Sequence, residues 1–328
     1  FLETGLVEQG SLLASSNARG GRRRRRLELN AHARLVLAIH LGIPDAGIGL
    51  VDLKGQLVAR ESISLDLVTP RTAENLTAII EQAKGFVATQ LTSADHLLGV
   101  GIGFPNLPGD ILPVGEIFQQ AFNVPVIAEN NVLAMTLGEY VFGLNQSVLS
   151  IVFLYVGMGI GAGSIINGEL WRGARGNAGH EIAHMRVTDA DTICRCGNRG
   201  CLETVAAQPA IAAKVRTLFP AVAERDDFSL VEYLIEMALE GDPDAVALLE
   251  QVSQNLYPAI AALTNIIDPE LIVIGGRLTQ AESILFAKID AMMADRARFG
   301  MESMIEIKAS SLGEKDCGLV GAASLVLM

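Results

Sequence analysis

The sequence predicts an α/β protein of two lobes carrying a small structural metal module. Three observations lead to this. Half of the residues are apolar, 5% are aromatic and 33 are glycines, a composition that favours layered α/β architecture over a β-sandwich. A strand–glycine turn–strand opening occurs twice, first at Leu35 and again near Val148. His184, Cys194, Cys196 and Cys201 set four metal-type donors within 18 positions. A chain of 328 residues is long enough for two domains, each with its own core.

The elements follow in order. LETGLVEQGSLL reads as a helix end, a glycine stop at Gly5 and a short strand, and the arginine cluster with LELN reads as a returning strand. From Leu35 the stretches LVLAIHLG, AGIGLVDLKGQLVARESISL and LLGVGIGFP supply apolar strands, with a hairpin turn at Lys54-Gly55. RTAENLTAIIEQAKGFVATQL repeats its apolar residues near the helical period. NVPVIAENN is a strand with a polar end, and VLAMTLGEYVFGL is the helix after it. SVLSIVFLYVGMGIGAGSIINGEL repeats the opening pattern. Helices are expected from about Gln208 to Leu218, Ser229 to Glu240 and Asp244 to Ile267, then a buried strand in DPELIVIGGRL. The repetition predicts two related lobes flanking a cleft, a layout that resembles the actin-like, sugar-kinase (ribonuclease H-like) fold. The expected divisions are 1–30, a smaller lobe of 31–143 with 311–328, and a larger lobe of 144–310.

One imidazole and three thiolates suit the tetrahedral, borderline-soft preference of Zn²⁺, in a closed shell with no open position for catalysis. Gly197 and Gly200 let the backbone turn tightly enough for Cys196 and Cys201 to face one ion. The metal is therefore expected to be a staple and not a reaction centre. Cysteines clustered at metal spacing point to a reducing cytoplasm, and the fourth, Cys317, reads as a small core residue.

No apolar run is long enough to span a bilayer, and the opening residues lack the pattern of a signal peptide. A formal charge of −12 argues against broad nucleic-acid binding, yet the charge is uneven. Arg19, Arg22, Arg23, Arg24, Arg25 and Arg26 crowd into eight positions; without those six, 19 of the 25 basic residues remain against 37 acidic ones. An acidic body with one short basic arm fits a regulator whose DNA contacts are localised.

GMGIGAGSIINGELWRGARGNAGHEIAH, together with CRCGNRGCLE, resembles the ROK family (repressors, open reading frames and sugar kinases). The resemblance runs from Leu35 to the closing LGEKDCGLVGAASLVL, and its most specific part is the CxCGxxGC knot with EIAH upstream. It implies a zinc module bracing a sugar site. Sugar contacts are carried over to Asn130 in ENN, to Glu181 and His184 in EIAH, and to Glu203 in GCLE. Asn131 and, in the loop FPNLPGD, Asn106 complete the set. Carboxylates and amides supply the acceptors and donors that sugar hydroxyls need. His180 and Ala183 stand where the family usually has glycines, which reshapes the pocket.

The kinase side of the family pattern is altered. Its base is the Asp of Glu-Asn-Asp, here Glu129-Asn130-Asn131, and an amide cannot accept the hydroxyl proton near neutral pH. The first phosphate loop, Asp-x-Gly-Gly-Thr, aligns with His40-Leu41-Gly42-Ile43-Pro44, which removes a carboxylate, a glycine and an N–H donor. Met158 replaces a threonine in the second loop, and Gly275-Gly276 keeps the nucleotide-region turn. ATP and Mg²⁺ are not expected as cofactors, and the chain reads as a pseudokinase.

Gly5-Leu6-Val7, GGRRRRR and Leu27-Glu28-Leu29-Asn30 match, in order, the wing and linker of ROK repressors. The resemblance implies that 1–30 is a remnant of a winged helix-turn-helix whose reading helices lie upstream of Phe1. The leading expectation is a sugar-responsive transcriptional repressor. A sugar or sugar-phosphate effector would bind between the lobes and change the hold on operator DNA, within a homodimer or homotetramer. An ATP-dependent hexose kinase and a sugar sensor that acts through another protein are the alternatives.

Overall fold

The computed structural model describes residues 5–12, 25–42, 46–63, 72–91, 93, 96–105, 112–143, 148–174, 180–297, 305–314 and 316–328. It opens on an antiparallel ribbon, β1 (Val7–Leu12) and β2 (Arg25–Leu29), with every β2 side chain exposed. Asn30 closes its base, donating its N–H to the Leu6 carbonyl (2.9 Å) and Nδ2 to the Gly5 carbonyl (3.1 Å). The helix end expected before Gly5 lies outside the described residues.

A 3₁₀ turn, Ala31–Ala33, leads into the first sheet. Its strands are β3 (Leu35–Leu41), β4 (Ala46–Asp52), β5 (Leu57–Ser62), β6 (Leu97–Phe104) and β7 (Val126–Asn130), ordered β5-β4-β3-β6-β7. The first three form an antiparallel meander; β6 runs parallel to β3, and β7 to β6. Helix α1 (Ala73–Gln90) begins at Thr72, whose Oγ1 accepts the Asn75 N–H at 3.1 Å. The shorter α2 (Val114–Ala121) precedes β7.

Helix α3 (Asn131–Gly138) runs into a π-helical turn, Glu139–Gly143, where one long helix is expected from sequence. The second sheet then repeats the first. Its strands are β8 (Ile151–Val156), β9 (Ile160–Ile166), β10 (Glu169–Trp171), β11 (Leu271–Gly275) and β12 (Glu306–Ala309), ordered β10-β9-β8-β11-β12. Again three strands meander and two follow in parallel. Between β10 and β11 lie the cysteine loop and the helices α4 (Glu203–Ala206), α5 (Gln208–Leu218), α6 (Asp227–Leu239) and α7 (Pro243–Ile267). Asp226 starts α6 two residues earlier than the sequence suggests, its Oδ1 accepting the Ser229 N–H. After β11 come α8 (Glu282–Ala297) and, last, α9 (Cys317–Leu327).

The alternation of β3 shows how the layers are filled. Leu35, Leu37 and Ile39 join Leu76, Ile79 and Phe86 of α1 on one face. Val36 and Ala38 meet Leu319, Ala322 and Ala323 of α9 on the other. Helices α3 and α9 also pack under β8 and β11, through Met135, Leu137, Phe153, Val273 and Leu325. Gly321 makes their close approach possible, since a Cβ there would come within 2.7 Å of the Ala134 carbonyl oxygen. Among the described residues, no helix is long and apolar enough to cross a membrane.

Candidate functional site

The metal-type residues converge. A 3₁₀ turn at Ile182–His184 is followed by antiparallel pairing of Arg186 with Cys201. Two 2.9 Å bonds anchor it, from the Val187 N–H to Gly200 O and from the Leu202 N–H to Met185 O. The loop folds back through the Cys194 N–H to Asn198 O (2.7 Å) and the Gly197 N–H to Cys194 O (2.9 Å). Gly197 and Gly200 sit at φ of +90° and +67°, where a side chain is strained. A Cβ on Gly200 would also collide with the Thr188 carbonyl.

The four donor atoms lie within 4.8 Å of one another. Cys196 Sγ is 3.7 Å from Cys201 Sγ, and Cys194 Sγ is 3.4 Å from His184 Nδ1. A tetrahedral zinc shell has edges of about 3.8 Å between sulfurs and about 3.6 Å between sulfur and nitrogen. The cluster can hold a metal ion and is compatible with zinc. Burial and the neighbouring thiols push Cys201 up to about 12, while the Asn198 backbone N–H lowers Cys196. A buried thiol of this kind ionises when a cation stands beside it. Cys317 is buried in the core with its thiol pushed up to about 12, chiefly by burial, as suits an inert core residue.

The residues assigned to sugar contact fall around the start of β9. Asn130 ends β7 and caps α3, its Oδ1 accepting the N–H groups of Val132 (2.9 Å) and Leu133 (3.2 Å). Asn131 Oδ1 accepts the Val132 N–H at 3.0 Å. In both, the carbonyl oxygen serves the helix start, and the NH₂ group is the part suited to a ligand. Val132 lies against Gly161, and Glu203 lies against Gly159, where a Cβ would be 3.5 Å from its Oε2. Gly159 and Gly161 flank Ile160, so the start of β9 has the α3 N-terminus and Glu203 as neighbours. His184 turns Nε2 toward Glu181, 3.9 Å from its Oε2. Asn106 lies outside the described residues.

Two arginines that sequence reading missed accompany this set. Arg172 Nε meets Glu129 Oε2 at 2.7 Å. Arg195 grips Glu203 side-on, Nε to Oε1 at 2.8 Å and Nη2 to Oε2 at 3.0 Å. Arg195 stands between two cysteines of the cluster, a position that could have marked it; nothing in the sequence around Arg172 singles it out. His180 stacks on Trp171, with ring centroids 4.7 Å apart, and shares a 2.7 Å hydrogen bond with Ser164 Oγ. Burial lowers its pKa, and Ala183 is buried.

The phosphate-side residues look different. His40, at the end of β3, is half-buried, and desolvation lowers its pKa to about 4, so its ring is neutral. Among the described residues its Nδ1 has no hydrogen-bond partner. The ring packs on the first turn of α9, where a Cβ on Gly318 would fall 2.6 Å from His40 Cγ. Ile43 and Pro44 lie outside the described residues. Met158 sits in a turn closed by the Gly157 N–H to Gly159 O at 2.9 Å. Beyond Gly275-Gly276, Arg277 is buried against the Phe228 ring, its Nε 3.1 Å from Glu314 Oε1 and its Nη1 3.1 Å from Glu232 Oε1. Of the six N-terminal arginines, Arg25 and Arg26 are described and exposed on β2; Arg19, Arg22, Arg23 and Arg24 lie outside the described residues.

Comparison with known proteins bears on the fold and the family. The chain is 27% identical to a xylose repressor from Caldicellulosiruptor bescii, over 98% of this chain and 86% of that protein. It superposes with a TM-score of 0.81 on a ROK family transcriptional regulator described as a homologue of the E. coli MLC protein (25% identity, 99% of this chain, 85% of the other). A ROK family glucokinase from Streptomyces griseus, solved with glucose and AMPPNP, gives 0.73 at 27% identity, covering 89% of this chain and 98% of the other. Repressors and kinases thus share this architecture. The ROK family model matches residues 36–328, and the chain belongs to the ROK family.

Proposed function

We propose that this chain is the effector-binding part of a cytoplasmic, sugar-responsive transcriptional repressor that has given up phosphotransfer. The observation that carries the reading is the contrast within one cleft. The polar set beside the metal cluster keeps its donors and acceptors, while the end of β3 holds a neutral imidazole with a buried Nδ1 and Asn131 cannot act as a base. Zn²⁺ held by His184, Cys194, Cys196 and Cys201 would fix the segment that presents Glu181 and Glu203.

A route from cleft to ribbon supports the regulatory part. Glu139, fully buried in the π-helical turn, accepts hydrogen bonds from Ser310 Oγ (2.6 Å), Ser311 N–H (3.0 Å) and Ser311 Oγ (3.0 Å), tying together the two segments that pass between the sheets. Phe142 in the same turn lies against Gly55 at the β4–β5 turn. That turn receives the ribbon's base: the Leu53 N–H donates to Ala31 O at 3.0 Å, and His32 lies 3.8 Å from Asp52. An effector that prefers one lobe arrangement would shift this chain of contacts and the basic ribbon with it. The lobes we assign are 31–143 with 311–328 and 144–310, and 1–30 is the wing and linker of a DNA-binding head acting in a dimer.

Calorimetric titration with D-xylose, D-glucose, their terminal phosphates and ATP·Mg²⁺ tests the reading. Binding of a sugar or sugar phosphate with no heat from ATP is the expected result. ATP binding together with sugar phosphorylation would replace it with the hexose-kinase reading, which the kept Gly275-Gly276 turn and the glucokinase likeness favour.

A further inference from the structure

We infer that Arg195 is the positioning residue for Glu203, carrying the order of the metal loop into the cleft; this rests on the reading that the cleft takes a sugar. Arg195 lies between Cys194 and Cys196, so its backbone is fixed wherever those two thiolates share an ion. Its guanidinium reaches eight residues ahead and meets both carboxylate oxygens of Glu203, at 2.8 and 3.0 Å. Two parallel charge-assisted bonds fix the plane of a carboxylate as one bond cannot.

Glu203 is held from its other side by the same loop. It begins α4 two residues after Cys201, and the Thr204 hydroxyl and N–H both return to the Cys201 carbonyl, at 2.7 and 2.9 Å. One metal-type cysteine therefore sets the backbone of Glu203, and the residue between the other two sets its carboxylate. The terminal torsion of a glutamate is broad when unconstrained, so without Arg195 the acceptor plane would wander.

This geometry leaves Glu203 able to act. Each carboxylate oxygen has two acceptor positions; the guanidinium takes one on each and leaves one on each, coplanar, for ligand hydroxyls. Exposed ion pairs contribute little as a rule. Here the carboxylate side chain is 15% exposed while the arginine is 53% exposed, so the partner that would meet a ligand is the recessed one.

The test is a double-mutant cycle on the zinc-loaded protein, titrating D-xylose, D-glucose and their terminal phosphates into wild type, R195A, R195K, E203Q and R195A/E203Q. Zinc content and Tm are followed in parallel. Affinity for the sugar bound by wild type should fall roughly 10- to 100-fold in R195A, as for removal of supporting residues around a site. R195K should not rescue it, since an ammonium makes a point contact, and the double variant should be no weaker than E203Q alone. Zinc should stay at one per chain. Unchanged affinity in R195A, full rescue by R195K, additive losses or parallel loss of zinc would each overturn the inference. A wild type that binds none of the sugars would overturn the cleft reading itself, and the inference with it.

Discussion

Beside the cysteine loop and at the end of β7, Glu203 and Glu129 are recessed and each keeps a guanidinium partner, Arg195 and Arg172. At the end of β3, His40 is half-buried and neutral, its Nδ1 shielded from solvent and its ring seated on a glycine of α9. Both places are strand or loop ends, and the two sheets share one strand order. The core residues behind them, such as Ile39 and Val156, are buried alike. The difference teaches that packing preserves this fold while the chemistry at its loop ends changes independently. On the proposed reading, the chain keeps the architecture it shares with ROK kinases while the groups that would handle protons and phosphate have changed.

The largest way to break the comparison is to dismantle the metal end. C196S should release the ion, lower the melting temperature and abolish sugar binding. Structural zinc sites contribute roughly 10–16 kcal/mol in isolated modules, so release of the ion should be the largest loss of stability among these variants. Metal content by atomic absorption beside a thermal melt reads this directly. A protein of unchanged sugar affinity after zinc is removed would separate the metal from the site.

A smaller effect is expected opposite, at Arg277. R277M removes a buried guanidinium from Glu314 and Glu232 while keeping apolar contact with Phe228. Breaking a buried pair from one side costs roughly 3–5 kcal/mol because a carboxylate stays in place without its cation. Urea denaturation should show that loss, and R277M/E314Q should recover part of it. Equal stability of R277M and wild type would mean that the network does not brace the segment leading into α9.

These sites differ in how visible they are in the sequence. The metal cluster is legible because its donors are local and its two glycines announce the turns. The duplicated sheets are legible from two strand–glycine–strand openings, and β3 from its apolar run. Helix α9 is not: CGLVGAASLVL is apolar on every side, since it lies between the two sheets, and so has no amphipathic period. Strand β12 has four residues and sits at a sheet edge, too short to stand out. Arg277 meets partners 37 and 45 positions away, and no local pattern encodes such a contact. The Arg195–Glu203 pair is near in sequence, but side-chain direction within an irregular loop follows from the folded turn and not from spacing.

The finest test concerns pH and falls on His40. Burial holds its pKa at about 4, below the ordinary 6.5. Between those values the unfolded chain takes up a proton that the folded chain does not. Stability must therefore fall as pH drops from about 6.5 to about 4, by on the order of 3 kcal/mol for this one group. H40F keeps a flat ring over Gly318 and removes both the titration and an Nδ1 that has no partner among the described residues. Its urea midpoint should match or exceed that of wild type at pH 7 and pull further ahead at pH 4.5. Parallel profiles for the two proteins would show that His40 titrates normally, and its contrast with the paired carboxylates would then be lost.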